Sequence, residues 1–349
     1  MQHRSLRWLP AVLAPVVVAG AVAMPLVAAA APPDLAPKTP QQVLRLVAEA
    51  KDVAGFSGTI EQRSNLGLPS IPATGAGSDT DTASALDLLT GSHTARVEVA
   101  GRSKARIAVL DDSAERDVVV NGRSVWLWSS ETSSAVHVTA EGSLAKPDRQ
   151  GTIPTPAEAA QELLAKVDGT TAVSVDTTQR VAGRDAYTLV LAPRTSATTV
   201  GSVRIAVDAV TGLPLDVQVI ARGASSPAFE TGFTSIDYTV PAASRFEFTP
   251  PSDAKVTTKT VTPGDRPEAR ESGSALRPSV DAAGWASVVT VPADAVPSDL
   301  ATNPTVLRLT TTVDGGRVLH SALVNVLLTD DGRVLAGAVP VSRLQAAAG

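Results

Sequence analysis

Short runs in which apolar and polar residues alternate dominate the pattern of the chain. Such alternation, with turn-forming residues between the runs, is typical of half-buried strands. The runs predicted as strands are 56–62, 93–99, 105–110, 117–128, 135–139, 172–177, 186–191, 202–207 and 215–221. Because these runs follow one another at short spacing, we expect an antiparallel meander and not a parallel sheet with crossover helices. Residues 64–82, rich in Gly, Ser, Pro and Asp, are predicted as a long loop between the first two strands.

The run 117–128 predicts a β-hairpin. Asn121-Gly122 at its centre favours a two-residue type I′ turn, because both residues tolerate a positive φ. In that register Val118 pairs with Val125. One face of the hairpin then carries Val118, Val120, Val125 and Leu127, and the other carries Val119, Trp126 and Trp128. A hairpin that is apolar on both faces must be covered on both faces or must line an apolar cavity.

Two amphipathic helices are predicted from their starts. Thr39-Pro40-Gln41-Gln42 and Thr155-Pro156-Ala157-Glu158 are capping boxes with Pro at the first helical position. Apolar residues recur at helical spacing after each box, over 40–54 and 156–167, and the second stripe includes Leu163 and Leu164. Such stripes usually pack against a sheet, and a lid over a cavity is the alternative.

The N-terminus reads as a secretory signal. His3, Arg4 and Arg7 precede an apolar run over 9–31 that ends in four alanines. We therefore predict residues 1–31 as a signal peptide, or as an N-terminal membrane anchor if they are not cleaved. The protein is expected to be exported across the cytoplasmic membrane to the cell envelope. The chain has no cysteine, which excludes disulfides, thiolate metal sites and acylation of a lipoprotein cysteine.

The rest of the chain divides into two predicted domains. Residues 40–256 form the larger one, and 257–280, with several Pro and Gly residues, are predicted as a linker. Residues 281–349 are predicted as a small β-rich module with strands at 285–291, 306–313, 318–328 and 334–339. A module of this size is only marginally stable alone, so we expect it to dock on the larger domain or on a partner.

The sequence carries little that indicates catalysis. Its histidines lie singly, its two Ser-x-x-Lys matches lack the partner motifs of penicillin-recognising enzymes, and Asp111-Asp112 and Asp330-Asp331 fall where turns are expected. Acidic side chains outnumber basic ones, 35 to 30, which argues against nucleic-acid binding. We predict a protein that is not an enzyme and has no catalytic residue, metal or cofactor. A hydrolase whose carboxylates meet only in space remains the alternative, although aromatic residues for stacking on sugars are scarce.

Several segments together resemble the LolA-like lipoprotein-carrier superfamily, which includes the RseB/MucB sensor branch, in the form found in actinobacteria. They occur in the order 56–62, 121–128, 181–187, 207–215 and 246–251, with the sequences FSGTIEQ, NGRSVWLW, VAGRDAY, VDAVTGLPL and FEFTPP. The resemblance covers roughly residues 40–256. Their order and spacing are more specific than any single motif.

The resemblance implies a mainly β protein with a few helices, an α+β fold in which a curved antiparallel half-barrel is covered by helices. It also implies a hydrophobic cavity for lipid or lipoprotein acyl chains. The ligand-binding residues expected on this basis are Phe56, Ile60, Val118, Val120, Val125, Leu127, Leu163 and Leu164.

Two functions follow from the two branches of this superfamily, and neither branch is enzymatic. Carriers shield acyl chains between membranes, which is the preferred hypothesis. The RseB branch instead senses envelope stress and binds a membrane-anchored anti-sigma factor, so a membrane-anchored regulatory or transporter protein is a second expected partner. The C-terminal module favours this alternative, and the loop at 64–82 and the missing lipoprotein cysteine depart from typical carriers.

Overall fold

The computed structural model describes residues 33–50, 53–68, 91–110, 114–140, 155–165, 167–261, 279–281, 284–296 and 300–349. The chain divides after Ala31 into two units, and the second runs from Pro32 to Gly349. The predicted signal segment, most of the predicted loop at 64–82 and most of the predicted linker lie outside the described residues. No helix in the described part of the chain is long and apolar enough to cross a membrane.

A large antiparallel sheet dominates residues 33–261. Its strands are β1 Gly55–Ser64, β2 His93–Ala100, β3 Lys104–Leu110, β4 Glu115–Asn121, β5 Ser124–Ser129, β6 Ser134–Ala140, β7 Thr171–Val175, β8 Gln179–Val181, β9 Arg184–Pro193, β10 Val200–Asp208, β11 Pro214–Ala221, β12 Pro227–Asp237 and β13 Lys255–Val261. They lie in the order β13-β6-β5-β4-β3-β2-β1-β12-β11-β10-β9-β7, with β8 also paired to β9. Because the order begins and ends at different strands, the curved sheet is open, as the sequence predicts for a half-barrel.

Two helices cover one face of this sheet. Helix α1, Pro40–Glu49, begins at the predicted capping box, with the backbone N–H of Gln42 donating to the Thr39 side chain at 3.3 Å. Helix α2, Pro156–Ala165, begins at the second box, where Thr155 and Glu158 exchange the same reciprocal bonds. Side chains of both helices pack with those of β9, β10 and β11. We call this face the inner face and the opposite one the outer face.

The hairpin of β4 and β5 has a different register from the predicted one. Its two-residue turn is Gly122-Arg123, with Gly122 at φ +63°, and glycine at the first central position suits a type II′ turn. Val118 pairs with Leu127 and Val120 with Val125, so the predicted pair Val118–Val125 is wrong. The two predicted faces are nevertheless correct, because the pairing shifts by two positions and alternation returns the same side chains to each face.

The segment after β12 crosses the outer face and ends in an unexpected strand. We call residues 238–254 the outer strap. It includes a 3₁₀ turn at Ala243–Phe246, whose Phe246 is buried, and Arg245 forms an ion pair with Glu98 of β2 at 2.6 Å. The strap leads to β13, which pairs parallel with β6 at the sheet edge. The linker prediction is therefore wrong for residues 257–261.

A second, six-stranded sheet forms the C-terminal module. Its strands are β14 Ser279–Asp281, β15 Val288–Val291, β16 Thr311–Val313, β17 Gly316–His320, β18 Asn325–Thr329 and β19 Val334–Gly337, in the order β14-β15-β19-β18-β17-β16. Helices α3, Pro304–Leu309, and α4, Val341–Ala348, accompany it. The predicted strand over 306–313 is wrong for 306–309, which lie in α3, and correct for 311–313, which form β16. The predicted strand over 318–328 is two strands joined by a turn.

The module packs against the large sheet. The Trp285 indole N–H donates to Thr171 Oγ1 at 2.8 Å, and the Thr199 N–H donates to the Ala338 carbonyl at 2.9 Å. Leu323, in the turn between β17 and β18, is buried in the same apolar cluster as α1 and α2. The two sheets therefore share part of one core.

Candidate functional site

A continuous group of aliphatic side chains lies on the inner face of β2–β6. We call it the aliphatic strip, and its members are Val99, Ala105, Val118, Val120, Val125, Leu127 and Val138. The cross-strand pairs Val99–Ala105, Ala105–Val120, Val120–Val125 and Val125–Val138 form an unbroken row across five strands. Because paired residues point to the same face, each strand contributes through simple alternation.

The strip is uniformly aliphatic, and its centre is buried. Val118, Val120 and Val125 are only 5 to 6% exposed. A second row runs from Val97 through Ile107, Val118 and Leu127 to Val136, so it shares two members with the strip, and it is also entirely aliphatic. With no hydrogen-bonding side chain in either row, this surface can hold apolar groups and offers nothing that could orient a polar reactant.

Two predicted ligand-binding residues, Phe56 and Ile60 of β1, belong to a neighbouring cluster on the same face. Phe56 contacts Phe233 edge-on, with ring centroids 5.8 Å apart. Gly58, which lies between them, leaves room for this pair, because a Cβ there would meet the Phe233 ring and overlap the Ser235 carbonyl oxygen. The aromatic pair is therefore fixed by close packing against the backbone of β1.

The remaining two predicted residues lie elsewhere on the inner face. Leu163 and Leu164 of α2 are partly buried against the cluster that holds Leu189 and Ile205. The structure thus brings all eight predicted residues to one face but divides them among three clusters. Only Val118, Val120, Val125 and Leu127 form one group. Val99, Ala105 and Val138 were missed, although the same alternation could have identified them.

The aromatic residues of the hairpin face the other way. Trp126 stacks on His137 at 4.1 Å between ring centroids, and Phe248 of the outer strap lies 5.4 Å from Trp126 and 6.2 Å from Trp128. Beside them, Arg106 pairs with the buried carboxylate of Asp117. Burial raises the pKa of Asp117, and the positive charge of Arg106 only partly offsets this. The contacts of Phe248 with Trp126 and Trp128 hold the strap against the outer face.

A polar pocket of about 300 Å³ also opens on the outer face, between β8 and the strands β1, β11 and β12. It places Asp216 near Glu230, and Gln218 donates to Glu230 at 3.1 Å. Burial, together with the charge of Glu230, raises the pKa of Asp216 to about 7. Two acids in one cleft are what the hydrolase alternative requires. Among the described residues that line the pocket, however, Phe233 is the one aromatic residue, which is a poor match to a sugar site.

The described residues contain no cluster of three or more His, Asp or Glu side chains that could hold a metal ion.

An apolar pocket of about 200 Å³ lies in the C-terminal module, between α3 and the sheet. It is lined by Leu68, Leu300, Val306, Leu309, Thr310, Leu319, Val326, Leu328 and Val334. Leu68 comes from the segment after β1, so one wall of the pocket is supplied from outside the module.

Comparison with known proteins gives structural neighbours only. No protein-family model matches the chain, and no curated protein matches it in sequence. A chain from the MucA/MucB complex of Pseudomonas aeruginosa is 18% identical over 88% of this chain and 96% of its own, with a TM-score of 0.44. A LolA superfamily protein from Nitrosomonas europaea is 11% identical, with 61% and 99% covered and a TM-score of 0.26. An uncharacterized conserved protein from Thermus thermophilus is 13% identical, with 63% and 98% covered and a TM-score of 0.36.

Proposed function

We propose that this chain is an exported, non-enzymatic binding protein of the cell envelope that holds lipid or lipoprotein acyl chains on the inner face of its large sheet. One observation supports this above all others, the unbroken aliphatic strip across β2–β6. Helices α1 and α2 pack on the other half of the inner face, against β7 and β9–β12. The strip is therefore a second apolar surface, beyond the one that the helices use to build the core.

The strip is large enough for the proposed ligand. Neighbouring strands are about 4.8 Å apart, so its five strands span roughly 20 Å. Each buried methylene group contributes about 0.8 kcal/mol, and a chain of ten or so carbons would be held firmly even if it were only partly inserted. Because the aliphatic strip has no polar side chain, its affinity depends on the length of the acyl chain and not on a particular headgroup.

A matched pair of substitutions on β3 tests this proposal. Ala105 lies in the strip and Ala108 points to the outer face, and both are buried, at 7% and 5% exposure. Ala105→Phe and Ala108→Phe should each destabilise the fold by about 1–3 kcal/mol through overpacking. Only Ala105→Phe should reduce the lipid that co-purifies from native envelopes, by about tenfold, as measured by native mass spectrometry. Wild-type protein that is consistently free of lipid would refute the proposal.

The apolar pocket of the C-terminal module favours a second candidate function, capture of a membrane-anchored regulatory protein. A pocket of about 200 Å³, lined by aliphatic side chains and Thr310, suits one or two aliphatic side chains of such a partner. This candidate corresponds to the RseB-like alternative, with lipid as its signal.

Two leucines of α3 provide the test of the second candidate. Leu309 lines the pocket, whereas Leu307 is 41% exposed. Leu309→Asp should abolish recovery of a single-span membrane protein from detergent-solubilised envelopes while lipid binding is kept, and Leu307→Asp should change neither. If both variants capture the same partner as the wild type, the pocket does not bind it.

A further inference from the structure

The charges on the inner face are distributed unevenly. In the described strands β1–β6 and β13, the charged side chains that point to the inner face are all basic: Arg116, Lys255 and Lys259. The acidic residues of these strands point to the outer face: Glu61, Glu98, Glu115 and Asp117. An apolar surface bordered by charges of one sign favours a ligand that is apolar along its length and oppositely charged at one end.

Two of these basic residues lie on the edge strand β13. Every residue from Lys255 to Thr260 is exposed. The register with β6 places Lys255 beside Ser134 and Lys259 beside Val138, so both lysines belong to the inner face. Neither ammonium group has a hydrogen bond or an ion pair with another described residue. Both lysines are exposed, so an anion in solvent can reach them.

Lys259 continues the row of the aliphatic strip. From Val99 the row passes to Val138 and then reaches Lys259 at the open edge. Five steps of about 4.8 Å give roughly 24 Å from Val99 to Lys259. An extended acyl chain laid across the strands would thus place its headgroup at β13, where the lysine stems can lie along apolar surface while their charges stay in water.

We propose that the bound lipid is anionic, and that Lys255 and Lys259 bind the phosphodiester of its headgroup at the open edge of the sheet. This inference rests on the proposed function, because it requires acyl chains on the aliphatic strip. Each lysine near an anionic lipid surface is expected to raise affinity about fivefold, which gives roughly 25-fold for both. The chain has a net charge of −5, so a preference for an anionic lipid must come from a local basic site.

A competition experiment measures this preference directly. The protein is incubated with vesicles of equal parts phosphatidylglycerol and phosphatidylcholine with identical acyl chains, then re-isolated, and the bound lipids are quantified by mass spectrometry. The wild type should be enriched in phosphatidylglycerol by about 25-fold at low salt and less at 1 M salt, where screening is strong. The ratio is independent of how much of a variant is folded.

Charge-neutral variants locate the site. Lys255→Gln with Lys259→Gln should bring the ratio close to one while phosphatidylcholine binding is unchanged, and each single variant should lower it about fivefold. Lys104→Gln is the matched control, because Lys104 lies on the outer face of β3, and it should leave the ratio unchanged.

Four results would overturn the inference. A wild type that takes up both lipids equally, or a double variant that keeps the wild-type ratio, would remove the headgroup site and leave the acyl site standing. Loss of the preference in millimolar inorganic phosphate, but not in chloride of equal ionic strength, would assign the lysines to free phosphate instead. A wild type that binds neither lipid would refute the proposed function itself.

Discussion

Individual residues of the hairpin show why the faces of a strand are easier to predict than its partners. Val118 and Val120 point inward because they alternate with Asp117 and Val119, whichever residues lie opposite them. The exact pairing depends on where the turn begins, and here it begins one residue later than Asn121-Gly122 suggests. That difference shifts the pairing by two positions, which preserves the faces. A shift by one would have exchanged them.

Asp216 is a residue whose environment the sequence could not reveal. It alternates with the apolar residues of β11, yet it is 6% exposed and lies directly over Gly232 of β12. A Cβ at position 232 would overlap its carboxylate, so the glycine provides the space for this acid. Burial and the nearby Glu230 together raise the pKa of Asp216 to about 7.

This raised pKa predicts that the protein loses stability as pH rises from about 4 to about 7. The folded state holds the Asp216 proton more tightly than the unfolded state, so the contribution of Asp216 is fully present below about pH 4 and is lost as pH rises towards 7. The total effect is at most about 4 kcal/mol. Urea unfolding should show that Asp216→Asn is more stable than the wild type at pH 8, by a smaller margin at pH 5 and by none below about pH 4.

The control for this experiment is the difference between the two proteins at each pH, since other titrating groups contribute equally to both. An identical pH dependence of the free energy of unfolding in Asp216→Asn and wild type would show that Asp216 titrates normally.

At the scale of elements, two of the segments that resemble the LolA-like superfamily, 181–187 and 207–215, are connected by hydrogen bonds to Asp208. Arg184 Nε donates to Asp208 Oδ2 at 2.8 Å, and Tyr238 donates to the same oxygen at 2.9 Å. The backbone N–H groups of Val210 and Thr211 donate to the other carboxylate oxygen. Burial alone would raise the pKa of Asp208, but these bonds outweigh it and hold the pKa below its ordinary value. Asp208 thus fixes the turn between β10 and β11.

The turn between β10 and β11 also positions α1. Gly212 has φ +72°, and a Cβ there would overlap the carbonyl oxygen of Leu46. Gly212→Ala should therefore lower the free energy of unfolding by more than the cost of a positive φ alone, which is about 1–3 kcal/mol. Gly183→Ala is the matched control, because Gly183 has φ +77° and no atom lies near its missing Cβ. Equal destabilisation of the two variants in urea would show that α1 does not rest on this turn.

The elements that could be predicted are those with local signals. Both capped helices are confirmed because a capping box needs only four consecutive residues. Helix α3 was missed although Asn303-Pro304 is itself a start signal, since the β-branched residues after it suggested a strand. Strand β13, rich in Val and Thr, was obscured by the Pro-rich sequence that follows it. Its parallel pairing with β6 depends on the outer strap, which no local pattern encodes.

For the molecule as a whole, the C-terminal module is part of the cooperative structure. Leu323 is 8% exposed and packs with residues of the large sheet, whereas its neighbour Val324 is 44% exposed. Leu323→Ala should cost about 2–5 kcal/mol. The unfolding midpoints of both sheets, followed by tryptophan fluorescence and far-UV circular dichroism, should shift together.

Val324→Ala is the control and should change stability by less than about 0.5 kcal/mol. Should Leu323→Ala separate the unfolding into two transitions, with that of the large sheet unaltered, the module would be an independent domain. The sequence predicted that the module docks, from its small size, but the surface that it docks on is formed by residues more than one hundred positions away and could not be inferred.

The central claim is that acyl chains lie on the aliphatic strip of the inner face. In protein without residues 1–31, and therefore without Trp8, Trp126 and Trp128 are on the outer face and Trp285 is in the module. Lipids with brominated acyl chains, which quench tryptophan on contact, should therefore leave the fluorescence of this wild-type protein nearly unchanged. Leu127→Trp places a tryptophan in the strip, and its added emission should be quenched. Thr139→Trp, on the outer face of β6, should not be quenched. Quenching of the wild-type fluorescence, or no quenching of the emission that Leu127→Trp adds, would contradict the binding of acyl chains on the aliphatic strip.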